Sequence, residues 1–232
     1  MMELFPEGFE EIERGEGLEL AAYTDAGGEE RVLRTFGAAT GKDVDETWHE
    51  RWKQFHRPVR VRDVWIGPTW ETPPGDVRAL FIDPERAFGT GGHATTVLAL
   101  ELLLDCERGS LLDIGCGSGV LALAAALHGF SPVRAIDSDP VSVETARRNA
   151  VANGVELDVW AADAVSGPLP ETDVAVANIS AKTIAAIGPM LSARVLVTSG
   201  YLLPEEPALA GYRRQDRRSL GGWAADLYAR DE

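Results

Sequence analysis

The chain has 232 residues, 45% of them hydrophobic, and a formal net charge of −15. That length suffices for one full domain plus a smaller one; no apolar run reaches the roughly 18 residues a membrane span needs. The charge repels a bare polyanion and attracts a basic partner, so direct nucleic-acid binding is not expected.

The amino-terminal MMELFPEGFEEIERGEG is acidic and lacks the charged-then-apolar order of a signal peptide, which points to the cytoplasm. The two cysteines, Cys106 and Cys116, have no zinc-ligand spacing and read as free thiols, and no metal site is expected. The basic clusters Arg57–Arg60–Arg62 and Arg213–Arg218 read as solvated strand faces.

Residues 1–46 are polar and uneven, with a β-like run at Leu18–Tyr23 and a helical stretch near Glu29–Phe36. In Thr47–Pro58, Trp48, Trp52 and Phe55 recur at helical spacing, which predicts an amphipathic helix stopped by Pro58. VRVRDVWI then predicts one strand, followed by the breaker-rich PTWETPPGD. From about Ala79, apolar runs alternate with helical patterns at βαβ spacing. The strands expected are Leu111–Ile114, Val133–Ile136, Leu157–Ala161, Val174–Ala177 and Val195–Thr198. Their continuous apolar character suits a parallel sheet buried on both faces. The helices expected between them are Val120–His128, Pro140–Asn153 and Ala181–Leu191. Tyr212–Leu220 and Trp223–Ala229, joined by Gly221–Gly222, predict a closing hairpin. Three regions follow: 1–46, a linker helix and strand at 47–78, and an α/β domain at 79–232.

The strongest local motif is LLDIGCGSGVLALAAA, Leu111–Ala126, an apolar strand, an acid, three alternating glycines and a helix. Glycine permits the tight strand-to-helix turn and removes a Cβ that would block a cofactor. The G-x-G-x-G spacing of Gly115, Gly117 and Gly119 departs from the G-x-G-x-x-G that delivers a pyrophosphate to a helix N-terminus. A cofactor without phosphate fits it better: S-adenosylmethionine, with Asp113 accepting from its ammonium group directly or through water.

Asp137, in AIDSDP, closes the second strand, where an acid can bind two ribose hydroxyls. Asp139 reads as a helix cap with Pro140 at the first helical position. Asp163, after the third strand, can meet an adenine amino group or form a turn. Asn178 ends the fourth strand at the carboxyl edge, where doubly wound folds place their sites. No proline or aromatic follows it, which disfavours a planar amide or base as target and favours a flexible amine. In FIDPERAFGTGGHATT, Gly89, Gly91 and Gly92 read as a mobile loop closing over the cofactor edge. Thr95 or Thr96 can point a hydroxyl at the cofactor, and His93 is either a helix-terminal hydrogen-bonding residue or a group that orients the substrate.

Taken together and in this order, DPERAFGTGGHATT, DIGCGSGVLALAA, AIDSDP and VANIS resemble the PrmA-type bacterial methyltransferases, which modify large-subunit ribosomal protein eleven. The resemblance runs from about Trp48 to the C-terminus. It implies a Rossmann-like class I methyltransferase sheet of five parallel strands plus the antiparallel hairpin, with a small, partial N-terminal α/β region. It also implies S-adenosylmethionine as cofactor and methylation of lysine side-chain and N-terminal amines. By motif, Thr96, Gly115, Asp137 and Asn178 would touch the cofactor, and Phe88 and Gly89 belong to the loop over it. Asp113, Gly117 and Asp163 complete the expected cofactor set; Asn178 and His93 are the candidates to orient the amine. The chain departs from the family pattern at Gly92-His93-Ala94 and Asn178-Ile179-Ser180, and residues 1–46 hold about the second half of the family's N-terminal substrate-recognition domain. Other readings are a same-fold methyltransferase with a small-molecule or different protein substrate, a nicotinamide-dependent oxidoreductase, and a catalytically silent binding module.

Overall fold

A computed structural model of the chain describes residues 10–14, 17–21, 33–36, 58–82 and 91–231. The predicted helix at Thr47–Pro58 and the loop residues Phe88 and Gly89 lie outside the described residues, Pro58 excepted. The chain divides into two compact units, Met1–Arg51 and Trp52–Glu232. In the first, β1 (Glu10–Arg14) pairs antiparallel with β2 (Gly17–Ala21), and residues 33–36 form a helical turn.

The second unit opens with a small sheet. VRVRDVWI is two strands and not the single one expected: β3 (Val59–Val61) and β4 (Val64–Gly67) form an antiparallel hairpin in which Val61 faces Val64. Alternating apolar residues fit one long strand or a hairpin equally well, and no glycine marks the turn. The turn is held instead by tertiary partners. Arg62 adopts a φ of 55°, its guanidinium lies 2.6 Å from Asp105, and Asp63 pairs with Arg78 at 2.9 Å. β5 (Arg78–Phe81) adds in parallel to β4. Asn153 joins this sheet to the main body, accepting from the Phe81 N–H at 2.8 Å and donating to its carbonyl at 2.7 Å.

The main sheet has seven strands: β6 (Leu111–Ile114), β7 (Val133–Asp137), β8 (Asp158–Ala161), β9 (Val174–Asn178), β10 (Val195–Leu202), β11 (Tyr212–Leu220) and β12 (Trp223–Arg230). Their order is β11-β12-β10-β9-β6-β7-β8. β6 to β10 are parallel and the β11–β12 hairpin closes the sheet antiparallel to β10, as expected.

Helices cover both faces, so successive strand residues alternate between two apolar cores. On one side α1 (Ala94–Leu103), α2 (Val120–Leu127) and α3 (Pro140–Ala152) pack on Leu111, Val174, Val176 and Val197. On the other α4 (Ala181–Ile187) packs on Leu112, Ile114, Ala175, Ala177 and Leu196. Each helix start has a local cause. Asp139 caps α3 through the Val141 N–H with Pro140 following, and Ser180 caps α4 through the Thr183 N–H. α4 ends earlier than its apolar pattern suggests, because Gly188–Pro189 turns the chain into a 3₁₀ segment ending at Met190. Among the described residues no helix is long and apolar enough to cross a membrane.

The small sheet shares the α1–α3 core through Val61, Val64, Ile66, Leu80 and Ile82. Ile66→Ala should therefore lower the global unfolding free energy, by about 3 kcal/mol, in a single denaturant transition followed by both far-UV and tryptophan signals. A separate early transition confined to the small sheet would show that it is not part of the main core.

Candidate active site

The turn after β6 requires its glycines. Gly115, Gly117 and Gly119 have φ of 71°, 53° and 80°, in the left-handed region. A Cβ on Gly115 would stand 2.5 Å from Ile179 Cγ2, and one on Gly119 would stand 3.0 Å from Ala146 Cβ. Neighbouring residues fix the turn. The Gly115 and Cys116 N–H groups both donate to the Ile136 carbonyl, at 2.9 and 3.0 Å, and buried Asn149 on α3 donates to the Ser118 carbonyl at 2.9 Å.

Three acids lie at or near the carboxyl ends of three adjacent strands in graded exposure. Asp113 is fully buried, and its Oδ2 accepts from the Ala122 N–H at 3.1 Å, bracing the first turn of α2. Burial pushes its carboxyl up to about 7, opposed by that hydrogen bond and assisted by the nearby Asp137. Asp137 is half-buried, and its carboxylate is oriented by two backbone donors, Gly117 N–H and Asp139 N–H, each at 2.9 Å. Asp163 is exposed and folds a turn, accepting from the Val165 N–H at 3.1 Å and the Ser166 hydroxyl at 2.5 Å, bonds that hold its carboxyl below the usual range.

Asn178 ends β9. Its Nδ2 donates to Thr96 Oγ1 at 3.3 Å, while its Oδ1 is buried without a hydrogen-bond donor. Thr96 lies in the first turn of α1, so helix and strand converge on one amide. His93 caps α1: its Nδ1 faces the Thr95 hydroxyl at 2.8 Å and the Thr95 N–H at 3.4 Å, and its ring stands edge-on to Trp223 with centroids 4.9 Å apart. This geometry supports the helix-terminal reading of His93. It also separates the two threonines, Thr95 serving the cap and Thr96 the amide. Gly91 (φ 88°) lies where a Cβ would meet Ile66 Cγ2 at 2.5 Å, a close-packing reason for glycine.

A family model described as "Ribosomal protein L11 methyltransferase (PrmA)" matches residues 18–204. The chain belongs to the PrmA family. A relative from Pelobacter propionicus named ribosomal protein L11 methyltransferase is 40% identical over 210 residues, covering 80% of this chain and 67% of that protein. One of the same name from Heliobacterium modesticaldum is 39% identical over 199 residues, covering 78% and 63%. This PrmA-family chain thus spans about two thirds of the length of such relatives. A ribosomal protein L11 methylase from Lactobacillus delbrueckii subsp. bulgaricus matches in structure with a TM-score of 0.68 at 28% identity, covering 76% of this chain and all of that one.

The donor set of this PrmA-family site fits S-adenosylmethionine. An oriented carboxylate at the end of β7 suits a ribose diol, the Cβ-free turn admits close approach, and the Asn178 Oδ1 acceptor lacks a donor. Three contributors escaped the sequence reading. Asn149 could have been found as a polar residue on the same helix face as Ala146 and Ala150. Ile179 gave no signal. Nor did Gly200 of β10, whose φ is 99° and whose Cβ would stand 2.4 Å from the Ile179 carbonyl oxygen.

Two measurements check this geometry. Asp137→Ala should weaken S-adenosylhomocysteine binding by about 1.5–3 kcal/mol in calorimetry. Folding raises the Asp113 pKa from its ordinary 3.8 to about 7. The native state then holds a proton that the unfolded state releases, so this group makes stability fall as pH rises across that window. Asp113→Asn keeps the acceptor for Ala122 and removes the titration. Its melting temperature should gain on the native protein between about pH 4 and about pH 7, and parallel pH profiles would contradict the assignment.

Proposed function

We propose that this chain transfers the methyl group of S-adenosylmethionine to an amine, a lysine side chain or an N-terminus, of a large-subunit ribosomal protein in the cytoplasm. The observation that carries the chemistry is the Asn178 amide, held through Nδ2 by Thr96 and presenting a buried acceptor oxygen with no donor of its own. When bound, the cofactor supplies a methyl group already activated on a sulfonium. What remains for the chain is positioning and removal of water.

Asp137 would hold the ribose, the Gly115–Gly119 turn would admit the methionine portion, and Asp163 would meet the adenine edge. An amine must be neutral to attack, and Asn178 Oδ1 can accept one of its N–H bonds so that the lone pair points along the transfer line. Ile179-Ser180-Ala181 offers no aromatic for stacking a planar target; Ser180 is occupied as the α4 cap. The substrate class follows the names of the relatives and agrees with the net charge of −15, which steers a basic protein. Residues 1–46 serve as part of the substrate grip and residues 47–78 as the link to the catalytic region.

Mass spectrometry of purified ribosomal protein L11 after incubation with cofactor tests this reading. The full chain should add methyl groups. Asn178→Ala should be slower by about 100-fold, the effect of losing orientation at the reacting atom. Deletion of residues 1–51 should abolish protein methylation and leave cofactor binding intact. Turnover on a small amine with none on the protein would overturn the substrate.

A further inference from the structure

A second buried polar cluster lies on the next two strands beyond Asn178, β10 and β12, on the α4 face of the sheet. Asp226 of β12, Tyr201 of β10 and Thr198 of β10 are all fully buried. The Tyr201 hydroxyl donates to Asp226 Oδ2 at 2.7 Å and accepts from Thr198 Oγ1 at 2.7 Å. From outside, Arg214 and Arg217 come within 3.8 and 3.7 Å of the Asp226 carboxylate. Both are also engaged elsewhere, Arg214 with Glu206 and Arg217 with the Leu203 and Glu205 carbonyls. Burying a carboxylate costs desolvation that an apolar residue of the same volume would avoid, and Asp226 is pushed above the usual carboxyl range. Its use must be sought in what it positions.

The cluster straddles a β-bulge. The pairing of β10 with β12 shifts between Ser199 and Tyr201 and leaves Gly200 out of the ladder. Thr198 and Tyr201 stand on either side of that residue. Their hydroxyl pair closes the bulge, Asp226 fixes it to the next strand, and Ser199 adds a bond to the Ala224 carbonyl at 2.9 Å. The bulge in turn touches the site. Ser199 pairs with Asn178, and a Cβ on Gly200 would meet the Ile179 carbonyl oxygen at 2.4 Å and nitrogen at 2.7 Å.

We infer that Tyr201 and Asp226 are positioning residues for methyl transfer: they set the bulge, the bulge sets the Asn178–Ile179 backbone, and that backbone sets the Asn178 amide against Thr96. This inference rests on the role proposed above for Asn178.

The test compares Tyr201→Phe and Asp226→Asn with Tyr212→Phe. Tyr212 is also buried and donates to the Ala193 carbonyl at 2.7 Å, away from the bulge. Tyr201→Phe should lower kcat about tenfold with S-adenosylhomocysteine affinity within twofold of the native protein. Asp226→Asn, which keeps an acceptor for Tyr201, should lose less. Tyr212→Phe should lower the melting temperature comparably and leave kcat unchanged. The second readout needs no substrate: the Asn178 side-chain amide resonance, in labelled protein with S-adenosylhomocysteine, should move in Tyr201→Phe and stay in Tyr212→Phe. Native kcat and an unmoved resonance in Tyr201→Phe, whatever its melting temperature, would overturn the inference. Equal kcat losses in Tyr201→Phe and Tyr212→Phe would overturn it as well, reducing the cluster to general stability. Full activity in Asn178→Ala would instead overturn the reading of the site.

Discussion

Ile179 is held between two glycines. Its side chain fills the space where Gly115 has no Cβ, and its backbone lies where Gly200 has none. Gly115 follows β6, Ile179 follows β9 and Gly200 lies within β10, three adjacent strands of the sheet, and they pack this closely only because two of the three carry no side chain. Asn178 is the residue immediately before this contact, so its amide inherits the precision of the packing. The same frame extends to the ribose side. Asn149 holds the Ser118 carbonyl, Ala146 fills the space beside Gly119, and the helix carrying both starts directly after the Asp137–Asp139 turn. The Asp137 carboxylate proposed for the ribose and the Asn178 amide proposed for the amine are therefore referenced to one packed frame. Displacement of about 1 Å at a reacting centre costs on the order of 100-fold in rate.

Electrostatics divides the acids by depth. Asp113 is buried and braces a helix, Asp137 is half-buried and oriented by backbone donors, and Asp163 is exposed and occupied in a turn. One residue type at three adjacent strand ends thus performs different work because desolvation and donor count differ at each. The arginines of β11 follow the same logic at the sheet edge. Arg214 pairs with Glu206, and Arg218 pairs with Asp105 and Asp216. Their charge is largely satisfied within the chain, which leaves a charged edge strand ill suited to adding a further strand.

The glycine turn, the acids of β6 and β7, the capped helices and the closing hairpin were legible in the sequence because each depends on neighbours within a few residues. A strand of period two, a glycine that needs positive φ and an Asp-Pro helix start are local statements, and the structure reproduces their positions to within a residue or two, apart from the later end of β10 and the earlier end of α4. The two uses of His93 could not be separated from sequence, since its cap to Thr95 is local but its contact with Trp223 joins residues far apart in the chain. The turn at Arg62–Asp63 was invisible because Asp105 and Arg78 hold it from other elements. The bulge at Gly200, its Tyr201–Asp226 anchor and the Thr96–Asn178 pair depend on strand register and on helix-to-sheet packing. Local sequence determined which residues could bind a cofactor; the non-local pairing of strands decided which of them meet.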